Sequence, residues 1–497
     1  MFKSLGSRVL LTLSMLAVPL ASASTVQAVG PTGSYSSGIA CVNLGAAAAS
    51  IAITFYNADN GTAITTYSVP SSVAPKNNVI LFTPSIPGLP GSLQGSAVVS
   101  ADQQVACTAD AQRSDVGGVG TVVTPARNAT SESFEYADAS SKLYATQVAK
   151  ALGNSVAGFF NSYIAVQNVE SVPVTVTISY VDRFGVSYPA ASETMAIPPQ
   201  ASHYFYQESN AGLPNNYIGA ATIAASDLSK KLAATVSIFN DGASYTRSQM
   251  TAFNAASIGG SKLTIPQFVR NYYGFQSGAN IMNIGATTTT VTSTFTFNGT
   301  PYVRVDTVGP QKVLAFFATT ISQLAPVDSL GVALRTGQAT FEAGPGGVLA
   351  GNSNRRNDGP CASPAVCPVT PENQIGLSSA FRAFTSGTAT TKAIVSRLPR
   401  NLGGEKITGG FVIANSTGSA ATCDIEYVGS VNELGVALPA NGVLGRFATN
   451  VVGVVDATQN PVSIVCTQPV FVSANTRSEL ATYRGDSNTS WNVVNLP

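Results

Sequence analysis

The sequence predicts an all-β protein: four tandem immunoglobulin-like antiparallel β-sandwich domains after a signal peptide. Three observations predict it. An apolar strand ending in asparagine recurs four times along the 497 residues. Each copy is followed by a β-branched, alternating strand and then by turn chemistry, as an antiparallel sandwich requires. The first residues carry an export signal.

The export signal comes first. Lys3 and Arg8 form a short basic start, the run from Val9 to Ala21 is apolar, and small residues follow at Ala21-Ser22-Ala23 and Val26-Gln27-Ala28. A signal peptide over 1–28 is expected. Roughly 13 apolar residues, interrupted by Pro19, fall short of the ~20 that cross a bilayer as a helix. No other apolar run reaches that length, so the mature chain is expected to be secreted without a membrane span, either soluble once exported or held to the cell surface by non-covalent contacts. Composition agrees: 10% of residues are charged, the net charge is +1 and 44% are hydrophobic. That is too apolar for a disordered chain and too neutral to steer nucleic acid. A lightly charged surface does little to repel copies of itself.

The marker strand reads Ser37-Gly38-Ile39-Ala40-Cys41-Val42-Asn43, then Ser162-Tyr163-Ile164-Ala165-Val166-Gln167-Asn168, then Gly278-Ala279-Asn280-Ile281-Met282-Asn283, then Gly410-Phe411-Val412-Ile413-Ala414-Asn415. The spacing of roughly 115 to 130 residues is too long for a solenoid repeat and suits a sandwich domain. Alternating strands follow at Ser50 to Tyr56, Val174 to Tyr180, Val291 to Phe297 and Ala421 to Val428. Asn60-Gly61 and Asn298-Gly299 suit two-residue hairpins. Gly-Leu-Pro loops recur at Gly88 and Gly212, and two closing strands complete the first copy, Ser96 to Ser100 and Gln104 to Ala109.

A second repeated string lies between the copies: Ser141-Lys142-Leu143, Ser261-Lys262-Leu263 and Thr391-Lys392-Ala393. Its likeness to Thr489 to Pro497 at the chain's end makes it the expected closing strand of the preceding domain. The Arg270-Asn271-Tyr272-Tyr273-Gly274 stretch then becomes a hinge. Domains are expected at 29–150, 151–269, 270–400 and 401–497, strung as an extended rod. The pattern of Leu-Pro, a basic-Asn-x-x-Gly stretch and an apolar strand ending in Asn resembles tandem β-sandwich repeats of exported surface proteins from Chloroflexi-type bacteria. The resemblance is closest over Ile265 to Asn283. It implies an extracellular sandwich array and brings no activity, so no catalytic residue is transferred.

Six cysteines in an exported chain point to disulfides. The repeat frame suggests Cys41–Cys107, Cys361–Cys367 and Cys423–Cys466. In the chain-entropy picture the two long loops would each contribute up to ~4 kcal/mol and the short one ~2 kcal/mol. A Cys361/Cys367 metal site lacks the histidine partners zinc favours.

Catalytic chemistry is sparse. His203 is the only histidine; it sits in a strand with no nucleophile elbow nearby, so no triad is expected. Glu132, Glu135 and Asp138 form the densest acidic group, read as a solvated linker rather than a glycosidase pair. Asp59-Asn60-Gly61 and Asp182 to Gly185 lack EF-hand ligand spacing and read as turns. No catalytic, cofactor or metal site is expected. Tyr272 and Tyr273 are the candidate binding platform, weighed against a role as wedges between domains. Sequons at Asn60, Asn128, Asn298, Asn415 and Asn488 read as chance in a Ser/Thr-rich chain. The functional expectation is a secreted structural or adhesive surface protein, not an enzyme, acting through protein–protein interfaces. Its partners would be itself or other envelope proteins; the alternative is an array that binds surface carbohydrate or a host.

Overall fold

The structure, a computed structural model, describes residues 8–11, 31, 34–91, 93–113, 128–136, 138–154, 158–241, 248–270, 272, 274–297, 299–321, 335–357, 377–480 and 488–496. Cys361, Cys367, Tyr273, Asn298 and most of the expected signal peptide lie outside these residues. Within them the protein is all-β: antiparallel strands joined by turns and short 3₁₀ segments.

Hydrogen bonding groups the strands into four sandwiches, each with its own cluster of buried side chains. One strand order recurs. In unit three the peripheral sheet runs Thr300–Val308, Thr289–Phe297, Arg335–Ala343, Lys262–Arg270, Phe384–Thr385. The axial sheet runs Val313–Phe317, Phe275–Asn283, Leu349–Asn357, Ser378–Arg382. In unit four one strand, Thr458–Ser478, passes through both sheets and joins them. Apolar side chains alternate inward along the strands after each marker, as at Val291, Phe295 and Phe297, while Thr290 is exposed. This is the period of two that a sheet with one buried face imposes.

The marker asparagines have a specific structural task. Asn43, Asn168, Asn283 and Asn415 are fully buried. Each side-chain amide donates to two separate loops: Asn283 Nδ2 to the carbonyls of Thr287 and Val308 at 2.8 and 3.0 Å, Asn43 Nδ2 to those of Ala47 and Val73 at 2.7 and 2.8 Å. Each Oδ1 accepts a backbone N–H two residues on. The residue thus pins the end of the second strand to the approach of the fifth, satisfying polar groups that would otherwise be buried unpaired.

The repeated string opens a unit and does not close one. Lys142–Lys150 pairs with Tyr217–Ala225, Lys262–Arg270 with Arg335–Ala343, and Thr390–Arg400 with the first half of Thr458–Ser478. By hydrogen bonding, the breaks therefore fall before Lys142, Lys262 and Thr390, earlier than the 150, 269 and 400 expected. The closing strands are Asn128–Glu132, Ser248–Asn254, Ser378–Arg382 and Thr489–Asn492. Their pairing makes Phe253, Phe381 and Trp491 equivalent, opposite Val236, Ser353 and Ala474. In unit one the opening slot is filled by Arg8–Leu11, from the expected signal peptide, paired with Ala97–Ser100 and with Phe134–Glu135.

The Tyr272 stretch is no hinge. Tyr272 and Phe275 exchange backbone hydrogen bonds at 3.1 and 2.9 Å, closing a tight turn between the first two strands of unit three. Nor is the chain an extended rod. The closing strands meet in a cycle, unit one on two, two on three, three on four and four on one. Small polar side chains fill that junction: Ser490 and Asn488 each hydrogen-bond Ser379 at 2.9 Å. Unit four docks on unit one through Arg397 with Asp110, Lys76 with Glu426 at 2.5 Å, and Asn78 Nδ2 on the carbonyls of Ser396 and Gln459 at 2.8 and 3.0 Å. Four sandwiches close into a ring.

Candidate functional site

The opening strands share a defect. Their pairing slips between Ala145 and Val148, between Ile265 and Phe268, and between Val395 and Leu398. A bulge frees residues from the ladder and re-aims their side chains. The freed pairs are Thr146-Gln147, Pro266-Gln267 and Ser396-Arg397, and they work at unit junctions. Asn352 and Asn354 of unit three each donate Nδ2 to Gln147 Oε1, at 2.9 and 3.0 Å, while Thr146 Oγ1 donates to Asn352 Oδ1 at 2.8 Å. Arg397 reaches Asp110 of unit one, lying over the Trp491 ring at 5.5 Å. Gln267 faces a cleft.

That cleft, between units three and four, encloses about 460 Å³ and includes Gln267, Tyr272, Arg355, Arg446, Phe447 and Arg477 in its lining. A related cleft of about 320 Å³ lies between units two and three, with Gln147, Arg183, Phe317, Arg355 and Arg356. The two repeat one design. A bulge glutamine stands on one wall. On the other an arginine lies over a phenylalanine: Arg477 over Phe447 at 4.5 Å, Arg356 over Phe317 at 5.1 Å. A glycine of the marker strand lets neighbouring side chains pack close against it. A Cβ on Gly410 would come within 2.6 Å of the Phe447 ring and 2.9 Å of the Arg446 carbonyl, and one on Gly278 within 2.3 Å of Asn354 Oδ1.

Unit two departs from this pattern. Where the other units carry Gly38, Gly278 or Gly410 opposite the fifth strand, it has Tyr163. Tyr163, Tyr204, Tyr206 and Phe239 form a continuous aromatic cluster, with centroids 5.5 to 6.3 Å from Tyr163, and it packs against Tyr35, Ala111 and Ala129 of unit one. The junction of units one and two is filled by rings where two others are open. Burial pushes the Tyr206 hydroxyl up to about 12, which keeps it a neutral phenol near neutral pH.

Arg355 borders both clefts. Its guanidinium donates to Gln267 Oε1 at 2.7 Å and to Asn488 Oδ1 at 3.2 Å, and lies over Phe275 at 5.0 Å. Both hydrogen-bond acceptors are neutral, and Nε has no partner among the described residues. Burial first, and Arg477 second, lower its pKa to about 10. Arg446 and Arg477 differ, being paired with Glu433 and Glu479. No Asp or Glu lines either cleft among the described residues. A site of this kind favours a ligand carrying negative charge and a flat apolar face.

Of the residues singled out in the sequence, Tyr272 lies on the larger cleft, with Tyr273 outside the described residues. Cys41–Cys107 and Cys423–Cys466 are disulfides, each linking directly opposed residues of neighbouring strands within one sheet. His203 sits on the fifth strand of unit two against the Phe205 ring at 4.6 Å; burial lowers its pKa. Asp182 accepts the N–H groups of Phe184 and Val186, as a turn former does. Among the described residues no group of three His, Cys, Asp or Glu side chains is arranged to hold a metal. The bulge residues, Arg355 and the Arg-over-Phe pairs escaped sequence reasoning. Phe447 and Arg477 stand 30 residues apart in sequence and meet only through sheet packing.

No family model and no curated protein matches the chain. Among solved structures, the crystal structure of Thermotoga maritima 1070 is 9% identical, with 23% of this chain and 92% of that one covered and a TM-score of 0.20. A tetra-tandem repeat from the extending region of a large adhesion protein is 12% identical over 92% and 95% of the two chains, with a TM-score of 0.10. The pilus adhesin SpaC from Lactobacillus rhamnosus GG is 10% identical, with a TM-score of 0.10; the match covers 93% of this chain and 57% of that one. TM-scores this low assign neither fold nor role, and the chain is described by its own geometry.

Proposed function

We propose that the protein is an extracellular surface component, structural or adhesive and not catalytic, that works by presenting repeated β-sheet edges. The observation that carries this reading is the ring. Four units spend their axial faces on one another and direct four exposed strand edges outward: Ala63–Ser68, Glu193–Ile197, Thr300–Val308 and Asn432–Leu438. Repetition of an outward edge multiplies contact surface. Two cross-strand disulfides fit an oxidising compartment. The test is retention of labelled, folded protein on cell envelopes of the producing organism. Saturable retention that survives high salt supports the reading. Absence of retention, together with turnover of any glycoside or ester substrate, overturns it.

A second reading, capture of carbohydrate, is favoured by the Arg-over-Phe clefts. Aromatic faces stack on sugar rings, and Arg355, whose hydrogen-bond acceptors Gln267 and Asn488 are both neutral, would favour an acidic saccharide over a neutral one. Calorimetry with uronate oligosaccharides and their neutral counterparts tests it. Tyr272→Ala and Arg477→Ala should each weaken uronate binding about tenfold or more. Equal affinity for neutral sugars, or none for either, would remove this reading.

A further inference from the structure

The four outward edges are not equivalent. Three are short or interrupted. Glu193–Ile197 has 5 residues and opens on a carboxylate. The pairing of Ala63–Ser68 slips beside Tyr56, and that of Asn432–Leu438 slips beside Cys423, with Gly435 at φ 63°. Natural sheets use such devices to keep edges from pairing with other chains. Thr300–Val308 is neither short nor interrupted. Its 9 residues pair without a break along Thr289–Phe297, and no other strand pairs with it among the described residues. Val303 and Val305, 52% and 62% exposed, lie along its outer face.

Pro301 shows which backbone groups are free. It stands opposite Thr296 in the ladder. A proline has no N–H to give, so within a strand it occupies positions whose N–H would point away from the neighbour. Alternation then turns the N–H and C=O groups of Val303, Val305 and Thr307 outward too. The hairpin demands the same phase. Phe297 and Thr300 are partners with two residues between them, and a two-residue hairpin closes on a hydrogen-bonded pair. The outward row is therefore Val303, Val305 and Thr307, with Arg304 and Asp306 between them on the inner face.

We propose that this edge pairs antiparallel with the same edge of a second copy of the chain, Val305 opposite Val305 on a twofold axis. Charge selects the register. Centred on Val305, the pairing sets Arg304 of each copy opposite Asp306 of the other. Centred on Arg304 or on Asp306 it would oppose like charges, and centred on Val303 it would bring Pro301 into the bonding row. Within one copy Arg304 and Asp306 are already joined at 2.7 Å, so two copies make a continuous four-charge ladder. The sheets of two rings become one through about six backbone hydrogen bonds. The inference deepens the surface-component reading and depends on that reading only for what a dimer is used for.

Sedimentation equilibrium of the full chain tests it. The wild type should show reversible dimers. Arg304→Asp alone and Asp306→Arg alone each place like charges opposite one another and should weaken self-association at least tenfold. Mixed together, the two variants should associate again, because one strand then carries two acids and the other two bases; a merely unfolded variant would not be rescued. Val305→Cys should give a disulfide-linked dimer on mild oxidation, since opposed hydrogen-bonded residues lie about 5.5 Å apart at Cα. A wild type that stays monomeric to about 100 μM overturns the inference while leaving envelope retention by single rings intact. So does failure of the mixed variants to associate when the wild type does.

Discussion

Asp110→Ala should open the ring at its seam. Asp110 accepts from Arg397 of unit four and from Thr130 Oγ1 at 2.6 Å, and the paired side chains are only 18% and 13% exposed. Removing one partner of a fully buried pair costs 3–5 kcal/mol, because the other charge is stranded. With this residual exposure about 2–3 kcal/mol is expected. Arg397→Met alone should cost a similar amount, and the double variant about as much as either one, since the second substitution removes the charge that the first had stranded. The coupling energy should therefore be about 2 kcal/mol. Trp491, the only tryptophan, is buried against Arg397 and reports the seam directly. The assay is urea unfolding of the four proteins of the cycle, followed by Trp491 emission. Coupling below about 0.5 kcal/mol, the scale of independent sites, would refute the argument. In a string of separate domains residues 110 and 397 never meet, and their effects would simply add.

Other outcomes follow from the same geometry. Asn283→Ala removes two donated bonds and one accepted bond from a fully buried residue, so a loss of about 2–3 kcal/mol in chemical denaturation is expected. Cys41→Ser with Cys107→Ser should destabilise unit one by up to ~4 kcal/mol, read as early loss of hydrogen-exchange protection over Tyr35–Asn43. His203 is held neutral by burial, its folded pKa below the unfolded value of ~6.5. The unfolded chain therefore binds the proton first, and stability is full above pH 6.5 and falls as pH drops toward the folded pKa. His203→Gln should flatten the melting temperature between pH 7 and 5. A chain starting at residue 29 lacks Arg8–Leu11, so amides of Ala97–Ser100 should exchange faster than in the full chain.

Local features of this fold were legible, and distant ones were not. The marker asparagines, the alternating strands after them and the turns at Asp182 could be read because neighbours in sequence set them. Cys41 and Cys107 could be matched because the repeat frame put them on an early and a late strand. The string around Lys142 was misread because its hydrogen-bond partner lies far along the chain, at Ala224. Nothing local distinguishes a strand that opens a unit from one that closes it. The end of the chain misled for a related reason. Trp491 is the equivalent of Phe253 and Phe381, but the shared Thr-rich, apolar composition of Thr489 to Pro497 and Thr391 to Pro399 suggested another alignment. Ring closure was out of reach, since Asn78 and the Ser396 carbonyl are 318 residues apart. Tyr272 was singled out as an exposed hinge platform and lies instead at a turn bordering a cleft, beside arginines whose convergence depends on the folded sheets.

The closed ring is the central claim, and small-angle X-ray scattering of the purified chain at low concentration tests it most directly. A compact chain of this length should give a radius of gyration of about 23 Å, or slightly more for a ring. A radius beyond about 40 Å, with the scattering of a rod, would mean four sandwiches in a line and would contradict it.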